Sequence, residues 1–175
     1  MFKLQNQHDS AAYYIKKRAF RDTTNAGWQF DAAVYLYGQN QFQKAAPYYE
    51  KALEIYRYLS QSNPEAYERD VAMTLNNLAI LLYMDTQRLA ESEEMYKEAL
   101  AIRRHLSQLN PDAHEPYVAQ TVYNLAIMYQ NTHRFAESEE SYKEALEIYR
   151  RLFKSTPEAY ESNVAMANLC LGIVK

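Results

Sequence analysis

"AESEEMYKEAL" occupies residues 90–100 and "AESEESYKEAL" residues 136–146, and only Met95 against Ser141 separates them. A chain that writes the same acidic stretch twice has either built two carboxylate clusters or repeated a structural unit. The surrounding residues decide. Tyr49, Tyr96 and Tyr142 head "YEKALEIY", "YKEALAIR" and "YKEALEIY", in steps of 47 and 46 residues. "VAMTLNNLAI" from Val71 returns from Val118 as "VAQTVYNLAI" and from Val164 as "VAMANLCLGI" with the same steps. "NPEAYE" at Asn63, "NPDAHE" at Asn110 and "TPEAYE" at Thr156 form a third marker. Three markers on one period establish an internal repeat.

The composition suits helices. The chain has 175 residues, only three glycines and five prolines, and a formal net charge of −3. So few breakers favour long helices over a turn-rich β fold. Charged residues make up 23 % with the signs interspersed, which argues against a nucleic-acid partner. No apolar run is long enough for a signal peptide or a membrane span, and Cys170 is the only cysteine. These features predict a cytoplasmic protein without a membrane partner, an internal disulfide or a multi-cysteine zinc site.

Each unit reads as two helices. In the third, Val118, Val122, Leu125, Ala126 and Tyr129 recur at helical spacing over about 118–131. Ser138, Tyr142, Ala145, Leu146 and Tyr149 form the inner stripe of a second helix over about 135–153. Asn63–Pro64, Asn110–Pro111 and Thr156–Pro157 read as turns with helix-start character, and "PEAYE" as a connection. Asp70 and Asn163 are then the expected N-caps of the next first helix. The unit boundaries fall at 25–70, 71–117, 118–163 and a terminal half-unit 164–175. Residues 1–24 precede the repeats, with an amphipathic capping helix expected over Asp9–Arg21.

"NLAIMYQNTHRFAESEESYKEALEIY" resembles a tetratricopeptide repeat. Leu125, Ala126 and Tyr129 match its first helix, and Ser138, Tyr142 and Ala145 its second. Leu78, Ala79, Ser92, Tyr96 and Ala99 match in unit two, where one extra residue between the helices leaves Leu82 or Tyr83 in the aromatic place. Unit one matches more loosely, with Ala32, Ala33, Leu36, Ala45, Tyr49 and Ala52. The period exceeds the usual family value of about 34 residues. The longer form is similar to the kinesin-light-chain type of repeat and its bacterial relatives. The resemblance implies an all-α fold, a right-handed superhelical solenoid of antiparallel helix pairs, each burying its face on the next.

Site chemistry is sparse. Glu91, Glu94 and Glu98 share a helical face, which either holds a hard cation weakly or is a solvated coat. Glu93 and Lys97, four apart, are expected to pair. His8, His105, His114 and His133 stand at no metal-ligand spacing, and no phosphate loop or nucleophile elbow occurs. The expectation is a protein that is not an enzyme and carries no cofactor or metal. Arg57, Arg104 and Arg150 are equivalent, and either form a ridge for an acidic partner or compensate helix C-termini.

What remains is binding. The resemblance implies that the first helices line a concave groove for a peptide segment of another protein. Carried over by position, its lining is Phe30, Val34 and Tyr37 in unit one, then Met73, Asn76, Asn77, Ile80 and Tyr83 in unit two. Gln120, Tyr123, Asn124, Ile127 and Gln130 follow in unit three, and Leu169 and Ile173 in the terminal helix. Asn77 and Asn124 either bond a ligand backbone or bridge neighbouring units. Family members that clamp acidic tails use Lys and Arg here, where this chain has Asn76, Gln120 and Asn124. The apolar last helix leaves two further expectations open: a structural self-assembly module that forms a homo-oligomer through the C-terminal helix, or a fragment of a larger regulatory protein with such repeats.

Overall fold

The structure is a computed structural model, described for residues 13–15, 17–84 and 88–174. Residues 13–15 and 17–21 are helical (α1), and the rest of the expected capping helix lies outside the described residues. Seven helices follow: α2 (Ala26–Gly38), α3 (Phe42–Ser62), α4 (Pro64–Tyr83), α5 (Leu89–Leu109), α6 (Pro111–Asn131), α7 (Phe135–Ser155) and α8 (Pro157–Val174). No strand occurs among the described residues. The all-α fold of paired helices is therefore the observed one.

The helices begin earlier than the sequence pattern suggested. The Asn63 side chain accepts from the Ala66 N–H at 3.2 Å, and that of Asn110 from the Ala113 N–H at 3.3 Å. Proline follows each cap at the first helical position, where its missing N–H is no loss and its fixed φ suits the helix. "PEAYE" is therefore the opening of the first helix and not a connection. Asp70 and Asn163 lie inside α4 and α8 and cap nothing. The boundaries at 70/71, 117/118 and 163/164 accordingly fall inside α4, α6 and α8.

Two of the sharp turns close alike. Asn40 has φ 56° and His133 φ 60°. Past them, the Gln41 N–H reaches the Leu36 carbonyl at 2.9 Å, and the Arg134 N–H that of Tyr129 at 2.8 Å. This is the glycine-type helix ending, with an amide bonding back five residues through a left-handed position. Asparagine tolerates that conformation better than histidine does. His133→Gly is expected to raise stability by about 0.5 kcal/mol, the relief of strain exceeding the extra chain entropy; thermal denaturation will show a higher midpoint.

The chain forms two compact units, Met1–Gln87 and Arg88–Lys175. In the first, α3 packs on both α2 and α4. Ala32, Ala33 and Leu36 face Ala45, Tyr49 and Ala52, all at most 2 % exposed. The end of α1 joins this unit, because Ala19 is buried and its carbonyl accepts from the Gln29 amide at 2.8 Å. In the second unit α6 packs on α5 and α7, and α7 on α8. Ser138, Tyr142 and Ala145 are buried against α6, where the Ser138 hydroxyl donates to the Ala126 carbonyl at 2.9 Å. Small residues at Ala126 and Ala145 permit that approach. In α4, Leu82 is buried and Tyr83 half-buried, so Leu82 fills the inner place.

Candidate functional site

The first helices hold the expected binding residues, and their exposure sorts them. In the first unit Val34 and Tyr37 are exposed, at 44 % and 37 %. Phe30 is half-buried, its ring edge-on to Tyr49 with centroids 5.4 Å apart. Met73, Asn77, Ile80 and Tyr83 are half-buried. Asn76 is buried at 2 % exposure, so it is a core amide and offers no surface to a ligand. Asn77 donates to the Tyr49 hydroxyl; burial, the larger effect, still pushes that phenol up to about 12.

In the second unit Gln120 is exposed, while Tyr123, Asn124, Ile127 and Gln130 are half-buried. Several of these side chains hold the repeat together. The Tyr142 hydroxyl donates to Gln130 Oε1 at 2.7 Å, and Gln120 Oε1 lies 3.4 Å from Arg103 Nη1. The Tyr123 ring packs edge-on against Tyr142 at 5.5 Å and against Tyr149 at 6.5 Å. Its hydroxyl lies 3.4 Å from Cys170 Sγ, and burial, then that contact, raise its pKa. The thiol is half-buried beside a phenol, so it is less enclosed than a core cysteine. Leu169 and Ile173 on α8 are exposed, at 68 % and 64 %.

The acidic stretch of α5 divides between coat and contact. Glu91, Glu94 and Glu98 are exposed, and Glu91 meets Arg88 at 2.7 Å. Glu93 turns inward, its side chain 15 % exposed. It takes Arg134 Nη1 at 2.6 Å, Lys97 Nζ at 2.9 Å and the Tyr129 hydroxyl at 3.1 Å. The Arg134 guanidinium also lies over the Tyr129 ring, 4.3 Å from its centroid. Glu93 thus clasps the turn between α6 and α7 and also makes the expected pair with Lys97. Among the described residues no group of three or more His, Cys, Asp or Glu side chains is placed to hold a metal.

Burial alone would raise the Glu93 pKa, but the bonds from Arg134, Lys97 and Tyr129 outweigh it and bring it to about 2. A depressed carboxylate pKa means stability that is present above the unfolded value and lost as pH falls through the folded one. Glu93→Gln is expected to cost roughly 1–2 kcal/mol at pH 7, discounted for the partly exposed Arg134. Denaturant titrations should show wild type and variant converging as the pH approaches 2.

Two arginine expectations change. Arg104 donates to Glu144 Oε1 at 2.6 Å, and Arg150 to Asn168 Oδ1 at 3.1 Å. They link neighbouring helices, so neither an open cationic ridge nor a helix-end charge describes them. Sequence reasoning overlooked Arg103, which is 5 % exposed. Its Nη1 donates to the Tyr117 carbonyl at 2.9 Å and to Thr121 Oγ1 at 2.5 Å. Burial pushes the guanidinium pKa below its usual range, yet it stays charged at neutral pH. The signal was present: Arg103 stands where the neighbouring repeats have Tyr56 and Tyr149.

Fold and surface together define an α-helical repeat protein. The sequence profile of the tetratricopeptide repeat matches residues 31–59, 71–112 and 118–158, and the chain belongs to that family. The solved structure of BtubC (BKLC) from P. vanneervenii is similar, with TM-score 0.74 and 22 % identity over 98 % of this chain. This chain covers 66 % of that one, slightly less than two thirds of its length. A structure described as the MamA RS-1 ArsTM double mutant matches with TM-score 0.52 and 15 % identity, covering 97 % of this chain and 86 % of that one. A comparison with curated protein sequences found no match. Among the described residues no helix is long and apolar enough to cross a membrane.

Proposed function

We propose that this protein is a non-enzymatic interaction scaffold that binds a segment of a partner protein along its first helices. One observation carries the reading. Residues 71–83, 118–131 and 164–174 contain no Asp, Glu, Lys or Arg, although charged residues make up 23 % of the chain. Core packing explains only the buried part of these stretches. Gln120, Met166, Asn168, Leu169 and Ile173 are exposed and still uncharged. Exposed positions that exclude charge and carry aliphatic, aromatic and amide groups suit a protein partner. Membership of the tetratricopeptide-repeat family supports the same reading.

The test is affinity capture with the full chain, repeated with Val34→Asp plus Tyr37→Asp and separately with Leu169→Glu plus Ile173→Glu. All four positions are exposed, so circular dichroism should be unchanged. A partner retained by wild type should fall by about tenfold with at least one variant, as expected when hot-spot residues are lost. Equal capture by all three proteins would place the interaction elsewhere. A second reading, self-association, rests on the exposed Met166, Leu169 and Ile173 of α8. Light scattering over a concentration series decides it, since a constant monomer mass refutes it.

A further inference from the structure

Two carboxylates stand alone on the first helices of the first compact unit. Asp31 is the only charged residue between Thr23 and Gln43, and Asp70 comes immediately before the uncharged run 71–83. Helical spacing puts Asp31 on one face of α2 with Gly27 and Val34, and Asp70 on one face of α4 with Met73 and Asn77. Asp31 is exposed and Asp70 half-buried. Neither carboxylate has an ion pair or a hydrogen bond among the described residues. Burial raises the Asp70 pKa, and the charge of Arg69 beside it offsets that only in part.

A phenol on α3 reaches both. Tyr56 is 9 % exposed, yet its hydroxyl has no hydrogen-bond partner among the described residues. No enclosed side-chain oxygen or nitrogen of those residues is left unpaired, so this oxygen emerges at the surface. It emerges beside Gly27 of α2, where a Cβ would stand 3.9 Å away. On the other side the Tyr56 ring meets that of Tyr67, one turn before Asp70 on α4, with centroids 6.4 Å apart. Burial first, then the charges of Asp70 and Asp31, push the phenol up to about 12.

The second unit fills the same register differently. Tyr149 corresponds to Tyr56, and its hydroxyl bonds to Asn163, which corresponds to Asp70. Gly27 and Asp31 correspond to Gln120 and Asn124. The first unit therefore forgoes a neutral tyrosine–asparagine pair, clears the space over the phenol with a glycine and brings two carboxylates to it. A half-buried carboxylate without a partner costs stability, and a cation brought to it recovers that cost through charge-assisted hydrogen bonds.

We infer that the first unit takes a lysine or arginine side chain of the partner segment between α2 and α4, on Asp31, Asp70 and the Tyr56 hydroxyl. This rests on the first helices being the binding surface. Charge selects the occupant. An acidic segment would face two unpaired carboxylates, and an apolar one would strip them of water without return. A basic side chain answers both carboxylates, gives the phenol oxygen a donor and lays its apolar stem along Val34 and Met73.

A displayed library of linear peptides would be selected against the full chain. The tightest clones would be titrated against wild type and against the double variant Asp31→Asn, Asp70→Asn, each clone with and without its basic residues changed to glutamine. Circular dichroism of the double variant should be unchanged, because asparagine already serves at both places in the second unit. The expected result is a Lys or Arg shared by the clones, whose loss weakens binding to wild type about tenfold and to the double variant less than about twofold. Raising salt from roughly 0.05 to 0.5 M should weaken the wild-type complexes about threefold or more, as contact through ion pairs requires. Tight clones without a basic residue, or equal losses on the two proteins, would overturn the inference while leaving the scaffold reading intact. A selection that yields no binding clone would overturn both.

Discussion

Tyr142→Ala is expected to destabilise the second unit by about 3–5 kcal/mol, the range for removing a large buried aromatic. The residue is 1 % exposed. Its ring sits edge-on to Tyr123, and its hydroxyl donates to Gln130 at 2.7 Å. Alanine would therefore leave a cavity, remove the nearer of the two edge-on ring contacts of Tyr123 and take the hydroxyl donor from the Gln130 amide oxygen. Tyr142→Phe separates these contributions: it keeps the ring, loses one hydrogen bond and should cost only about 1 kcal/mol. Equilibrium urea unfolding of the three proteins measures both values. Because the repeats form two compact units, amide hydrogen exchange should rise first within Arg88–Lys175. A loss below about 1 kcal/mol for Tyr142→Ala would show that the small–aromatic–small stripe does not carry the packing.

That stripe is also what made the fold legible. Ser138, Tyr142 and Ala145, and their counterparts Ser92, Tyr96 and Ala99, are all at most 2 % exposed. A helix-on-helix seam imposes size and spacing on its residues, and those constraints are visible in one dimension. The helix starts were less legible. Asn63 and Asn110 cap immediately before proline, whereas the repeated "VA" pattern drew attention seven residues downstream. The binding surface was legible only as a list of positions. Asn76 and Tyr123 share a register, yet one is buried and the other half-buried. Which member of an equivalent set turns inward depends on the volume of its neighbours, and no spacing rule contains that information. Glu93 illustrates the same limit: its partner Arg134 lies 41 residues away.

Arg103→Ala is expected to cost about 2–4 kcal/mol through lost packing and the bonds given up by Thr121 and the Tyr117 carbonyl. The more informative experiment is a transplant. Arg103, His114 and Tyr117 occupy the register of Tyr149, Tyr160 and Asn163 in the following repeat. There the Tyr149 hydroxyl bonds to Asn163 and burial raises its pKa, so a neutral polar pair fills the place of a buried cation. Arg103→Tyr alone places a phenol among groups arranged for a guanidinium, including the Tyr117 ring 5.5 Å away, and should remain destabilised. The triple change Arg103→Tyr, His114→Tyr, Tyr117→Asn should recover wild-type stability or exceed it by about 1 kcal/mol, since exchanging a buried charge for matched neutral groups is often favourable. Contacting positions couple, so the three substitutions should depart from additivity by at least about 1 kcal/mol, measured by urea unfolding of all single and combined variants. A triple variant no more stable than Arg103→Ala would mean that the repeats are not interchangeable at this layer, and that Arg103 is held by features peculiar to α5 and α6.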